Sequence, residues 1–124
     1  MTEVLLDTCV VIDFLRNRGN AEAYLNSLTA KPAVSVLTLT EVHAGLRSQS
    51  QELAARQFFN ECKVCRVTAD IAVGAGAILR HYGASHAIDV PDAIIAATAE
   101  HHDLELATLN VKHFPMFKRL RAAY

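Results

Sequence analysis

Four short apolar runs decide what this chain can fold into. Val4-Leu5-Leu6, Ala33-Val34-Ser35-Val36, Val64 to Val67 and Leu104 to Ala107 have the length of buried strands, the third being the weakest. Stretches of helical spacing separate each run from the next. Connections that long are not hairpins, so the strands run parallel and the helices cover the sheet. The expected architecture is α/β: a three-layer α/β/α sandwich around a central, mainly parallel sheet of four to five strands.

Periodicity and chain breakers place the helices. Residues 9–17 show helical spacing closed by Gly19, and Ala21 to Leu28 forms a second segment broken by Pro32. A helix opens at Thr38-Leu39-Thr40-Glu41 and runs to about Arg47; after the polar Ser48-Gln49-Ser50-Gln51 another reaches about Glu61. Asp70 to Tyr82 is expected as a helix ended by Gly83, Asp89 to His102 as an Ala-rich helix, and Phe114 to Ala122 as a short final one. The 124 residues contain no repeat, linker or low-complexity segment, so one domain spanning residues 1–124 is expected.

Several classes are excluded early. No apolar stretch is long enough to span a bilayer, and Met1-Thr2-Glu3-Val4 lacks the basic region of a signal peptide. A soluble cytoplasmic protein with no membrane partner is expected. Three cysteines are too few, and odd in number, for a disulfide framework. Cys62 and Cys65 have C-x-x-C spacing but no second pair to complete a zinc site, so buried thiols are expected. The net charge of −1 is unevenly spread: Lys112, Lys118, Arg119 and Arg121 follow Asn110 with no acid among them. A basic tail on an acidic body can track phosphates while the body holds cations; a solvated C-terminal helix explains the same bias.

Open parallel sheets carry their sites at the carboxyl ends of the strands. Asp7 directly follows the first strand, Glu41 lies one helical turn past the second, Asp92 sits in the first turn of the Ala-rich helix, and Asn110 follows the fourth strand. Each acid also has a local explanation. Asp7 can cap the helix after it, Thr38 and Glu41 fit a capping box, and Asp89 can cap a helix in which Asp92 occupies a dipole-favoured position. Capping does not explain three acids on one rim. Carboxylates gathered there repel one another, and a divalent cation resolves the repulsion. Hard oxygen ligands select Mg²⁺ or Mn²⁺ over zinc. The implied chemistry is hydrolysis of a phosphodiester without a covalent enzyme intermediate.

The same residues carry a family resemblance. Val4-Leu5-Leu6-Asp7-Thr8-Cys9-Val10-Val11-Ile12-Asp13-Phe14-Leu15 resembles the first strand and helix of the PIN domain, and of the VapC-like toxins within it. Ser35 to Val42 with Gly45, Asp92 to Ala99, and Leu104 to Phe114 resemble the later motifs, in order and over nearly the whole chain. The resemblance implies a Mg²⁺- or Mn²⁺-dependent endoribonuclease, the toxin of a type II (VapBC) toxin–antitoxin system. It makes Asp7, Glu41 and Asp92 catalytic, with Asp7 and Asp92 as metal ligands and Glu41 a ligand through water or a water-orienting base. Asn110 stands where many PIN nucleases carry a fourth acid, which leaves a second metal open. Thr8 and Thr108 are candidates to orient the acids, and Asp89 is a candidate outer ligand. Implied partners are a cognate VapB-like antitoxin, a structured RNA such as transfer or ribosomal RNA, and a second copy of the chain in a homodimer.

Arg16 and Lys112, with Arg18 and Lys118, are candidates for phosphate contacts. Asp13 is expected to pair with Arg16, Asp70 to cap its helix, and His43 to serve packing or the surface. A receiver domain needs paired acids after strand one and an Asp after the third strand; the chain has Asp7-Thr8 and Thr68 there. The alternative that stays open is a non-catalytic PIN-fold module binding RNA or protein, because of Asn110.

Overall fold

Along the first strand, successive side chains enter opposite cores, and that alternation sets the three layers. The computed structural model describes residues 3–124. Met1 and Thr2, part of the opening read above for a leader, lie outside the described residues. The elements are β1 (Val4–Leu6), α1 (Thr8–Leu15), α2 (Gly19–Ser27), β2 (Ala33–Ser35), α3 (Val36–Ala44), α4 (Gln49–Asn60), β3 (Lys63–Cys65), α5 (Ala69–His86), α6 (Val90–His101) and β4 (Glu105–Ala107). A single 3-10 turn follows at Val111–His113.

The four strands form one sheet in the order β3-β2-β1-β4, and every pairing is parallel. Leu5, Ala33, Cys65 and Leu106 face one core with Ile71, Ala75 and Ile78 of α5 and Ala93, Ala96 and Ala97 of α6. Leu6, Val34 and Ala107 face the other with Val10 and Val11 of α1, Val42 of α3, and Ala55 and Phe59 of α4. Two helical layers thus sandwich the sheet. Cys62 belongs to one core and Cys65 to the other, both as buried free thiols. Among the described residues no helix is long and apolar enough to cross a membrane.

Strand order reverses at β1. The chain lays β2 and β3 to one side of it and then returns to place β4 on the other. A crevice at the carboxyl ends of the strands, where the order switches, is the expected place for a ligand site in an open α/β sheet.

Local capping differs from expectation in two places. Ser35 caps α3, its hydroxyl accepting from the Leu37 N–H at 3.1 Å, so the helix begins before Thr38 and no Thr38–Glu41 capping box forms. Thr68 rather than Asp70 caps α5, with Oγ1 accepting from the Ile71 N–H at 3.3 Å. A short hydroxyl side chain already stands at the end of the preceding extended segment in both cases, so the acid or threonine further on is taken into the helix. Asp13 accepts the Tyr124 hydroxyl at 2.6 Å, and no ion pair joins it to Arg16 among the described residues.

Helix α5 continues through Gly83 to His86 and ends on Ala87, whose φ of 51° is left-handed. A side chain there costs about 1–2 kcal/mol that glycine avoids. Ala87→Gly is therefore expected to stabilise the protein by up to about 1 kcal/mol, after the extra unfolded-state entropy of glycine. Thermal melts of the two proteins check this.

The final helix expected over Phe114 to Ala122 is not formed. Phe114, Phe117 and Leu120 instead turn inward every third residue. The N–H groups of Phe114, Phe117 and Leu120 donate to the carbonyls of Val111, Phe114 and Phe117. Pro115 would stand in the first turn of such a helix, where its missing N–H costs nothing, as Pro91 does in α6; the inward packing of these three side chains accompanies the turns instead. Phe114 is only 1% exposed and anchors the segment against the α5/α6 core.

Candidate active site

The crevice at the switch point is lined by carboxylates from widely separated parts of the chain. Asp7, Thr8, Cys9, Glu41, Asp89, Pro91, Asp92, Ile95 and Asn110 surround a cavity of about 130 Å³. The structure therefore brings Asp7, Glu41, Asp92, Asp89, Asn110 and Thr8 to one place, with Thr108 directly behind Asp7.

Asp7 is the first residue past β1 and is only 6% exposed. Its N–H is fixed by the Ala107 carbonyl of β4 at 2.8 Å. Its Oδ1 accepts the Thr8 N–H at 2.8 Å, which makes it the N-cap of α1. Its Oδ2 accepts the Thr108 hydroxyl at 2.7 Å and the Cys9 thiol at 3.6 Å. Capping is real here, but it occupies only one of the two oxygens.

Glu41 projects from the second turn of α3. The Thr8 hydroxyl donates to Glu41 Oε1 at 2.6 Å. Thr8 has one hydroxyl proton and spends it on Glu41, so the Thr38 hydroxyl, 3.0 Å away and fully buried, is the donor to Thr8. This relay from Thr38 through Thr8 fixes one Glu41 oxygen. Oε2 has no protein partner among the described residues.

Asp92 lies in the first turn of α6, behind Pro91, and its N–H donates to Asp89 Oδ1 at 3.0 Å. Its carboxyl is pushed up to about 6. Burial is the main cause, followed by repulsion from Asp89 and a hydrogen bond with the Asp89 carboxyl; Asp7 adds further repulsion, and His113 opposes the rise. The His113 Nδ1 is 3.1 Å from Asp92 Oδ2. Burial also raises the Cys9 thiol, and the Asp7 charge adds to that. Cys9 is thus a protonated donor to Asp7 at neutral pH.

Sequence reasoning missed Cys9, Thr38 and His113. The spacing at Thr38 suggests a cap, Cys9 reads as a buried thiol although it lies two residues from Asp7, and His113 meets Asp92 only through a tertiary contact. Asn110 presents its N–H to Thr108 Oγ1 at 3.0 Å, and its side chain borders the cavity. Arg16 borders a neighbouring groove rather than this cavity. Lys112 is exposed on the 3-10 turn and forms no ion pair among the described residues. His43 stacks on Phe59, with its ring nitrogen 2.8 Å from the Leu39 carbonyl, a packing role.

A hard divalent cation fits this donor set. Among the described residues no group of three or more His, Cys, Asp or Glu side chains is placed so that it could hold a metal ion by itself. Mg²⁺ needs none: it keeps several waters and takes one or two carboxylates directly. The burial of Asp92 beside two further acids is a repulsion that such a cation offsets.

Thr108 is fully buried and makes two of the contacts that hold the site together. Thr108→Val is expected to remove the Asp7 contact and strand the Asn110 N–H. Loss of a comparable ligand-orienting partner lowers metal affinity or activity about 10- to 100-fold. Thr108→Ser keeps the hydroxyl and should retain activity; nuclease assays of both variants check this.

The fold and the crevice place this chain in the class of open parallel α/β proteins whose candidate site is a cluster of acids at the carboxyl edge of the sheet, at its switch point. The chain belongs to the PIN domain family, whose model matches residues 4–120. It is 40% identical to Ribonuclease VapC19 of Mycobacterium tuberculosis, over 97% of this chain and 98% of that protein. Identity to Ribonuclease VapC10 of the same organism is 38%, over 98% of this chain and 92% of that protein. The fold is similar to a chain in a toxin–antitoxin complex from Klebsiella pneumoniae, with a TM-score of 0.85, 31% identity and 98% of each chain covered.

Proposed function

We propose that this chain is a single PIN domain, residues 1–124, acting as the toxin of a type II toxin–antitoxin pair and hydrolysing RNA phosphodiester bonds with Mg²⁺ or Mn²⁺. The observation that carries the reading is the Asp7 carboxylate. It is buried at the switch point, oriented by Thr8 and Thr108, and close enough to Asp92 to raise its pKa. The named ribonuclease relatives support the activity, and the Klebsiella complex supports an antitoxin partner.

Asp7 and Asp92 are the residues that would hold the cation. Bound there, it would supply Lewis acidity to a phosphoryl oxygen and acidify a water. Glu41 acts through its free Oε2, orienting the attacking water and accepting its proton, while the Thr38–Thr8 relay fixes Oε1. Asp89 tethers the α6 N-terminus through the Asp92 N–H. Asn110, in place of a fourth acid, keeps the charge of the crevice lower and suits a single cation. The assembly proposed is a cytoplasmic homodimer, held in check by a VapB-like antitoxin and acting on a structured RNA such as transfer or ribosomal RNA.

Induced expression of the chain alone is expected to arrest growth. Sequencing of RNA ends should then show new ends at a defined site, and co-expression of a short adjacent antitoxin gene should relieve both effects. Normal growth with no new RNA ends would favour the non-catalytic module.

A further inference from the structure

A second and larger hollow adjoins the acidic cavity, and Glu41 borders both. It measures about 360 Å³, the size range of a small-ligand site, and lies between α1, α3 and α4. Its apolar lining includes Ile12 and Leu15 of α1 and Leu46 just past α3. Arg16 and Arg47 border it as well. Both are exposed, and neither guanidinium has an ion-pair or hydrogen-bond partner among the described residues. Two exposed guanidinium groups beside an apolar floor make an anionic occupant electrostatically favourable there.

We propose that this groove is a subsite for one RNA nucleotide next to the scissile phosphate, its base resting on Ile12, Leu15 and Leu46 and its phosphate held by Arg16 and Arg47. The inference rests on the ribonuclease reading. Three features favour a single-stranded nucleotide. Glu41 lines both the groove and the acidic cavity, so the groove lies next to the path of a strand that crosses the cavity. An aliphatic floor accepts the face of an unstacked base, which a duplex does not offer. Guanidinium groups bind phosphate bidentately and stack on bases, and both modes are sequence-tolerant. No aromatic residue lines the groove, so the base is held by aliphatic contact and guanidinium.

The test is fluorescence anisotropy with a labelled random-sequence RNA 14-mer in Ca²⁺, at several salt concentrations, beside Mg²⁺-dependent cleavage of total bacterial RNA. Arg16→Ala and Arg47→Ala are each expected to weaken binding about 5- to 10-fold and to reduce the salt slope by about 0.7, the loss of one phosphate contact on a single strand. Leu46→Asn should weaken binding at an unchanged salt slope. Arg80→Ala, which removes an exposed charge from α5 on the other face of the sheet, should change neither quantity. Arg16→Ala and Arg47→Ala proteins that bind RNA like Arg80→Ala, while the wild type still cuts total RNA, would overturn the subsite and leave the ribonuclease reading standing. The same normal RNA binding with loss of a co-expressed antitoxin in a pull-down would assign the groove to the protein partner and equally overturn it. A wild-type protein that neither binds the 14-mer nor cuts total RNA would remove both readings.

Discussion

Asp7→Asn is expected to leave the fold intact and to lower RNA cleavage by about 10³-fold, the rate equivalent of the several kcal/mol of charge stabilisation a bound metal would supply. The substitution separates the two roles of this residue. Asn caps a helix about as well as Asp, so the Oδ1 contact to the Thr8 N–H survives. What disappears is the negative charge, with Oδ2 becoming an amide that donates where it had accepted from Thr108. Near-wild-type melting with lost cleavage and lost toxicity assigns Asp7 to the chemistry. Cleavage at the normal rate would reduce Asp7 to a cap and sink the site assignment. Asp7→Ala cannot make this distinction, because it removes cap and charge together.

Asp92→Asn is expected to abolish cleavage to a similar extent and, without metal, to raise the melting temperature at neutral pH. The Asp92 carboxyl is raised from 3.8 to about 6, so the folded state favours its protonated form. Its contribution to stability is complete below about pH 4 and is lost as pH rises through about 6. A shift of that size corresponds to at most about 3 kcal/mol, and solvent screening of a half-buried group leaves about 1–2. Against this, Asn gives up the His113 contact and a favourable charge in the first turn of α6, about 0.3–1 kcal/mol. The net gain near pH 7.5 is about 1 kcal/mol, or about 3–5 °C for a domain of this size. It should vanish at pH 4. A variant that melts lower than wild type at both pH values would mean that Asp92 serves mainly to cap and pair, and that relief of repulsion is not the dominant effect.

The layers and the acids were legible because both leave local marks. A run such as Val4-Leu5-Leu6 ending at Asp7 states where a buried strand stops and a rim begins. Spacings too long for hairpins then require parallel strands, so Asp7, Glu41 and Asp92 follow as residues of one edge. Helix ends were less legible where two capping residues competed. Ser35 and Thr38, or Thr68 and Asp70, satisfy the same rules, and only the end of the preceding extended segment decides between them. The C-terminal region misled because Phe114, Phe117 and Leu120 repeat at a spacing of three, which fits one face of a helix as well as a chain of tight turns. Pro115 does not separate these, because proline suits the first turn of a helix, as Pro91 does in α6. The hydrogen-bond relay behind Glu41 left no mark, since Thr8 and Thr38 lie 30 residues apart and meet only in the folded chain.

The pairing of β1 with β4 also bears on when the protein can act. Val4, Leu5 and Leu6 wait for Glu105, Leu106 and Ala107, and the Asp7 carboxylate waits for Thr108, 101 residues later. A nascent chain whose β4 is still inside the ribosomal tunnel therefore holds β1 without one of its two neighbours and Asp7 without the hydroxyl that orients it.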